Sequence, residues 1–157
     1  MKKRQLAMLA MIPLFIISCK DEPSSYTSIK GLESLIYQTI KGYRTENGLN
    51  GPFVHQLVMV REAQIYSYKM ANGVEELGTQ GLDEHWNEIH GKIGGYNDQA
   101  IVMSTTSANE DEILTQLLQI EGADSLLLED VTQCAVGIES NTQGLNYLTV
   151  MLMKVDS

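Results

Sequence analysis

The sequence predicts an α+β fold: a three-layer α-β-α sandwich with a small, mainly antiparallel sheet flanked by helices. Three observations predict it. Segments of helical period come first along the chain, two strand-like segments joined by a turn end it, and the last strand is apolar on both faces. A strand of that kind needs cover on each side, and the helical segments supply it. The 157 residues suit one domain. A chain of this size buries roughly 70% of its unfolded surface without a metal or disulfide staple.

The chain opens on an address. Lys2, Lys3 and Arg4 form a basic stretch, and Leu6 to Ile17 is an apolar run broken by Pro13. A membrane-spanning helix needs about 20 apolar residues, so residues 1–18 read as a signal peptide. The run ends at Ile16-Ile17-Ser18-Cys19, which resembles the lipobox of bacterial lipoproteins. That resemblance implies cleavage between Ser18 and Cys19 and lipidation of the Cys19 thiol, palmitate being one such acyl group. The competing reading is an ordinary secretory signal with a chance cysteine. Residues 19–27 then form a lipidated tether, polar through Lys20-Asp21-Glu22 and Pro23-Ser24-Ser25. Lys-acid-acid after the cysteine also resembles a surface-export signal of some Gram-negative lipoproteins. The expected location is therefore the outer membrane, lipid-anchored, on its periplasmic or its cell-surface face.

Charge narrows the partners. With 11 Lys+Arg against 20 Asp+Glu the chain carries −9, and loss of Lys2, Lys3 and Arg4 makes the remainder more acidic still. Nucleic acid is not expected, because phosphate binding needs clustered basic side chains. Two cysteines make no disulfide scaffold. With Cys19 lipidated, Cys134 stands alone in an apolar alternating stretch and reads as an inert core thiol.

Residues 28–157 form the domain. Ser28 is placed to cap a helix with Ile29, Leu32, Ile36, Ile40 and Tyr43 on one face, and Asn47-Gly48 stops it. A second helix is expected from Pro52-Phe53 through Leu57, Val60, Ala63, Tyr66 and Met70 to Asn72-Gly73. A short one over 81–91 puts Leu82, Trp86 and Ile89 on one side. Gly94-Gly95-Tyr96-Asn97 reads as a loop, and Ala100 to Met103 as a short buried strand. Ser107-Ala108-Asn109-Glu110 matches a capping box before Ile113, Leu114, Leu117, Leu118 and Ile120. Thr132 to Glu139 alternates through Cys134, Val136 and Ile138; Asn141 to Gly144 turns; Leu145 to Val155 closes the sheet.

The densest polar group is Asp83, Glu84, His85, Glu88 and His90. The two histidines are five apart, which does not match the zinc-binding His-Glu-x-x-His spacing of four. A solvated acidic helix face is the expected reading. The alternative is a metal-dependent or hydrolytic enzyme with a site rebuilt around His85, Glu88 and His90. His55, beside Val54 and Leu57, reads as structural or surface. No Gly-x-Ser-x-Gly elbow or phosphate loop occurs.

The order of segments resembles the CAP superfamily, named for cysteine-rich secretory proteins, antigen 5 and pathogenesis-related proteins, in its compact bacterial branch with an SCP-like domain. The resemblance covers about residues 33–155. It rests on Tyr43-Arg44, Gly48-Leu49, Ala63, Met70-Ala71, Gly78, Gly81-Leu82, Gly94-Gly95-Tyr96-Asn97 and Gly137. It implies the sandwich fold and a cleft with two histidines and acidic residues able to hold a divalent metal. The positions that carry those groups in the family fall here on Thr79, on Ala100 or Ile101, and near Ala123. Methyl groups supply no ligand. The resemblance thus implies a degenerate cleft, apolar or hydroxyl-lined, with no catalytic residue, no metal and no cofactor. A binding module at the cell envelope is expected, held to the membrane through Cys19 and serving an envelope protein, a polymer or a small apolar ligand.

Overall fold

Periodicity in the sequence becomes layering in the structure. The computed structural model describes residues 29–156; the signal peptide 1–18, the tether 19–27 with Cys19, and Ser28 lie outside the described residues. The first helix begins at Gly31 with Lys30, not Ser28, at its N-cap, because Glu33 accepts from the Lys30 N–H. In chain order the elements are α1 (Gly31–Glu46), β1 (Val54–His55), α2 (Leu57–Ala71), α3 (Asp83–Ile93), β2 (Tyr96–Thr105), α4 (Glu110–Leu117), α5 (Ala123–Leu127), β3 (Gln133–Ser140) and β4 (Asn146–Lys154). The sheet order is β1-β3-β4-β2, antiparallel except where β1 runs parallel to β3. This is the expected α+β sandwich.

Alternation along β3 and β4 sends successive side chains to opposite faces. Cys134, Val136, Leu148, Val150 and Leu152 pack with Ile36 and Ile40 of α1 and with Ile113 and Leu117 of α4. Ala135, Met151 and Met153 pack on the other face with Met59, Ala63 and Tyr66 of α2 and with Leu82 and Ile89 at α3. Each large apolar side chain so buried contributes about 1.5–3 kcal/mol. Residues 148–153 are buried without interruption, the two-sided cover that an unbroken apolar run requires. Cys134 is a free thiol in this core, and burial pushes its pKa well up.

Gly137 lets α2 lie directly on the sheet. A Cβ there would stand 2.3 Å from the carbonyl carbon of Ala63, so only glycine admits the helix backbone. Ser67 seals the contact, donating to the Gly137 carbonyl at 3.0 Å and lying 2.9 Å from Thr149 Oγ1. On the opposite face, Glu33 of α1 is fully buried yet accepts from Lys30 N, Gln64 Nε2 and Ile138 N at 2.8, 2.6 and 3.2 Å. Those three donors offset part of the desolvation that raises its pKa.

Four further local expectations change. Helix α2 begins at Leu57, capped by Gln56, because Val54 and His55 are drawn into the sheet beside Gln133 and Cys134. The cap of α4 is Asn109, whose Oδ1 accepts from Glu112 N at 3.0 Å. Ser107 instead supports it, accepting from Asn109 N and donating to Glu112. Tyr96 and Asn97 belong to β2, where a register irregularity between Tyr96 and Gln99 leaves Asn97 at φ 58°. Finally, residues 123–127 form α5, a short helix that no periodic stretch of sequence announced.

Candidate functional site

A cavity of about 240 Å³ lies across the free edge of β2. Its floor is Ala100, Ile101 and Val102. Consecutive residues of a strand point to opposite faces, so three in a row line one cavity only across the strand's edge. The packing agrees: Ala100 and Val102 lie against the α2/α3 core and Ile101 in the α1/α4 core. One wall is Gly78, Thr79 and Gln80, from the loop before α3. The other is Ile120, Glu121, Ala123 and Leu126, at α5. The structure therefore brings Thr79, Ala100, Ile101 and Ala123 to one place.

Each wall is held by a buried side chain. Tyr66, 1% exposed, donates its hydroxyl to the Gly78 carbonyl at 2.8 Å and accepts from Gly81 N at 3.3 Å. This pins the loop that carries Thr79. Arg44 reaches from α1 behind α5, donating to the carbonyls of Leu127, Glu129 and Val131 while its guanidinium lies 4.3 Å over the Phe53 ring. Its neighbour Tyr43 donates to Asp124. Tyr43-Arg44 thus sets the α5 wall, and the carboxylate beside it raises the Tyr43 pKa.

The polar group of α3 does not gather. His85 is 4% exposed and turns inward, its Nδ1 2.9 Å from Glu62 Oε2 and its Nε2 3.3 Å from Lys69 Nζ. It lines a second hollow, of about 180 Å³, with Arg61, Glu62, Lys69, Glu84 and Glu88. Glu88 pairs with Lys92 at 2.6 Å, and His90 pairs with Asp98 at 2.7 Å outside that hollow. The acidic-face reading holds for Asp83, Glu84 and Glu88, which are exposed, and is corrected for His85. Leu82, His85 and Ile89 share one stripe at spacings of three and four, a signal the sequence did carry. His55 stacks on Tyr37 at 4.5 Å and is structural. Among the described residues no group of three His, Cys, Asp or Glu side chains is placed to hold a metal ion.

Solved structures share this architecture, and two of them illustrate the likeness. One is an extracellular protein containing an SCP domain from Bacillus anthracis, 16% identical, with a TM-score of 0.63 over 80% of this chain and 41% of that one. The fold is SCP-like. The other is an outer surface protein of Borrelia burgdorferi, also 16% identical, with a TM-score of 0.67 over 82% of this chain and 96% of that one. At such identity the likeness concerns the SCP-like fold alone. The chain spans less than half the length of the Bacillus protein. By sequence, it matches no family model and no curated protein.

The family resemblance implies a divalent metal in this cleft, and the residues present do not fit one. Thr79, Gln80 and Glu121 are the lining side chains with an oxygen or nitrogen to offer; the rest are aliphatic or glycine. One carboxylate, one neutral hydroxyl and one amide fall short of the three-His or two-His-and-carboxylate sets that bind zinc. What the cleft offers is an aliphatic floor, polar shoulders and the open edge of a strand. Sequence reading missed Tyr66, Glu62 and Asp98. Each acts through a partner at least eight residues away, so no local pattern marks it.

Proposed function

We propose that this protein is a lipid-anchored envelope protein whose SCP-like domain works by binding, not by catalysis, in the cleft at the edge of β2. The observation that carries this reading is the lining of that cleft. The hollow is kept, with each wall fastened by a buried side chain, while Thr79, Ala100, Ile101 and Ala123 stand where the resembling family places metal-binding groups. Such a lining favours contact and hydrogen bonding over proton transfer, because neither a histidine nor a buried acid faces it. The lipobox-like Ser18-Cys19 supports attachment to a membrane, and among the described residues no helix is long and apolar enough to cross one. The two structural neighbours, one an outer surface protein and one extracellular, agree with an envelope or surface location.

Calorimetric titration of the full-length protein with zinc, in a non-ionic detergent, tests the reading. No stoichiometric binding at micromolar concentration is expected. Stoichiometric micromolar binding lost in His85→Ala would instead support an enzyme built on the α3 hollow.

A further inference from the structure

The strand that floors the cleft has a free hydrogen-bonding edge, and the register says which residues own it. Gln56 N donates to the Cys134 carbonyl at 2.9 Å, so Cys134 turns its main chain toward β1. Its neighbours Gln133 and Ala135 therefore face β4, opposite Met153 and Met151. Leu152 and Val150 then turn the other way, toward Gln99 and Ile101 of β2. That leaves the N–H and C=O groups of Ala100 and Val102 directed outward, away from β4. Among the described residues no loop or side chain supplies them a partner. They lie along the floor of the 240 Å³ cavity.

The walls add charge and shape. The cavity shares Gln80 with a third hollow, of about 320 Å³. Glu75 and Glu76 line that hollow beside Gln80, and Glu121 stands on the opposite wall of the first. Neither lining contains Lys, Arg or His. The Thr79–Gln80 side is therefore polar and leads to carboxylates, whereas the α5 side offers Ile120, Ala123 and Leu126. An added strand sends alternate side chains to these two sides.

We propose that the cleft takes an extended peptide segment with alternating basic and aliphatic residues, which adds to the sheet along Ala100–Val102. This rests on the binding reading above and names its partner class. Main-chain hydrogen bonds to Ala100 and Val102 supply the affinity common to any extended chain. The aliphatic α5 wall and the acidic shoulder select the side chains. A lipid tail would leave the outward amides unpaired, so the peptide satisfies more of the site.

The test uses the full-length protein in a non-ionic detergent and a fluorescein-labelled octapeptide of alternating Lys and Val, read by anisotropy. Saturable binding is expected, at least tenfold weaker for the same peptide N-methylated at alternate residues and for a Glu-Val octapeptide. Val102→Pro removes one outward N–H, a change an edge strand tolerates. It should weaken binding at least tenfold while the unfolding midpoint stays close to that of the parent. Should Val102→Pro unfold the protein, the N-methylated peptide still decides the matter. Absence of saturable binding overturns the proposal, as does binding indifferent to N-methylation, which would be charge attraction alone. A dimer in sedimentation that Val102→Pro abolishes would overturn it in favour of a second copy on this edge. Zinc titration is independent of all these outcomes, so failure of the peptide proposal and failure of the binding reading are distinguishable.

Discussion

His85 Nδ1 and Glu62 Oε2 lie 2.9 Å apart with side chains 4% and 6% exposed, a hydrogen bond sealed between α2 and α3. Lys69 Nζ, which only donates, lies 3.3 Å from His85 Nε2. The hydrogen-bond pattern thus assigns the imidazole proton to Nδ1, donating to Glu62, with Nε2 as acceptor. Tyr66 packs edge-on against the same ring at 5.4 Å. Since Tyr66 also pins the loop carrying Thr79, the pair supports the cleft from behind.

Removing one partner strands the other in the core. His85→Leu strands the Glu62 carboxylate and should cost about 3–5 kcal/mol of unfolding free energy, whereas Glu62→Leu leaves a neutral imidazole with an unpaired N–H and should cost about 1–3 kcal/mol. His85→Leu with Glu62→Leu should cost less than the sum of the single changes, because no unpaired charge then remains. Urea unfolding of the four proteins measures this. Full additivity would show that the two side chains do not act as a pair.

Acid should weaken the fold through His55. Its ring stacks on Tyr37, and burial lowers its pKa from 6.5 to about 4. Between those values the unfolded chain binds the proton and the folded one does not. Stability is therefore present above pH 6.5 and lost as pH falls toward 4. Glu33 works in the opposite sense, since burial raises its pKa and its protonation then favours the folded state. A difference isolates the histidine. From about pH 7 to pH 4 the parent should lose on the order of 1–3 kcal/mol more than His55→Phe, which keeps the stack without the titration. Equal losses in urea unfolding at the two pH values would show that His55 does not set the acid limit.

The proposed anchoring rests on one thiol. Cys19→Ala should move the protein from the membrane fraction to the soluble fraction and abolish labelling by a palmitate analogue. Retention in the membrane fraction with labelling intact would contradict lipidation at Cys19.

Much of this fold is readable from periodicity, and the exceptions share a cause. The β3–β4 hairpin, the two-sided core and the helices around Ile36, Ala63 and Ile113 each follow from a local pattern that tertiary packing reinforces. Strand β1 is not readable, because two residues carry no period and Val54–His55 becomes a strand only beside Gln133 and Cys134. Helix α5 is not readable either, since Arg44, eighty-odd residues away, satisfies the carbonyls that follow it. At the candidate site, Thr79, Ala100, Ile101 and Ala123 are identified by resemblance, and the structure places them on one cavity. The open edge of β2 is invisible in sequence, because strand order is a property of the assembled sheet. The partner of His85 escapes sequence reading for a similar reason: Glu62 comes from another helix.

The binding reading proposed above requires a cleft that keeps its shape without metal ligands. Thr79 and Ala123 line the same cavity, at the positions where the resemblance implies histidines. Putting them back is the direct test: zinc titration, by calorimetry, of the full-length parent beside Thr79→His with Ala123→His. No stoichiometric binding is predicted for the parent, and one zinc at micromolar or tighter affinity for the double variant, with Glu121 available as a further ligand. Equal behaviour of the two proteins, whether both bind zinc or neither does, would contradict that reading.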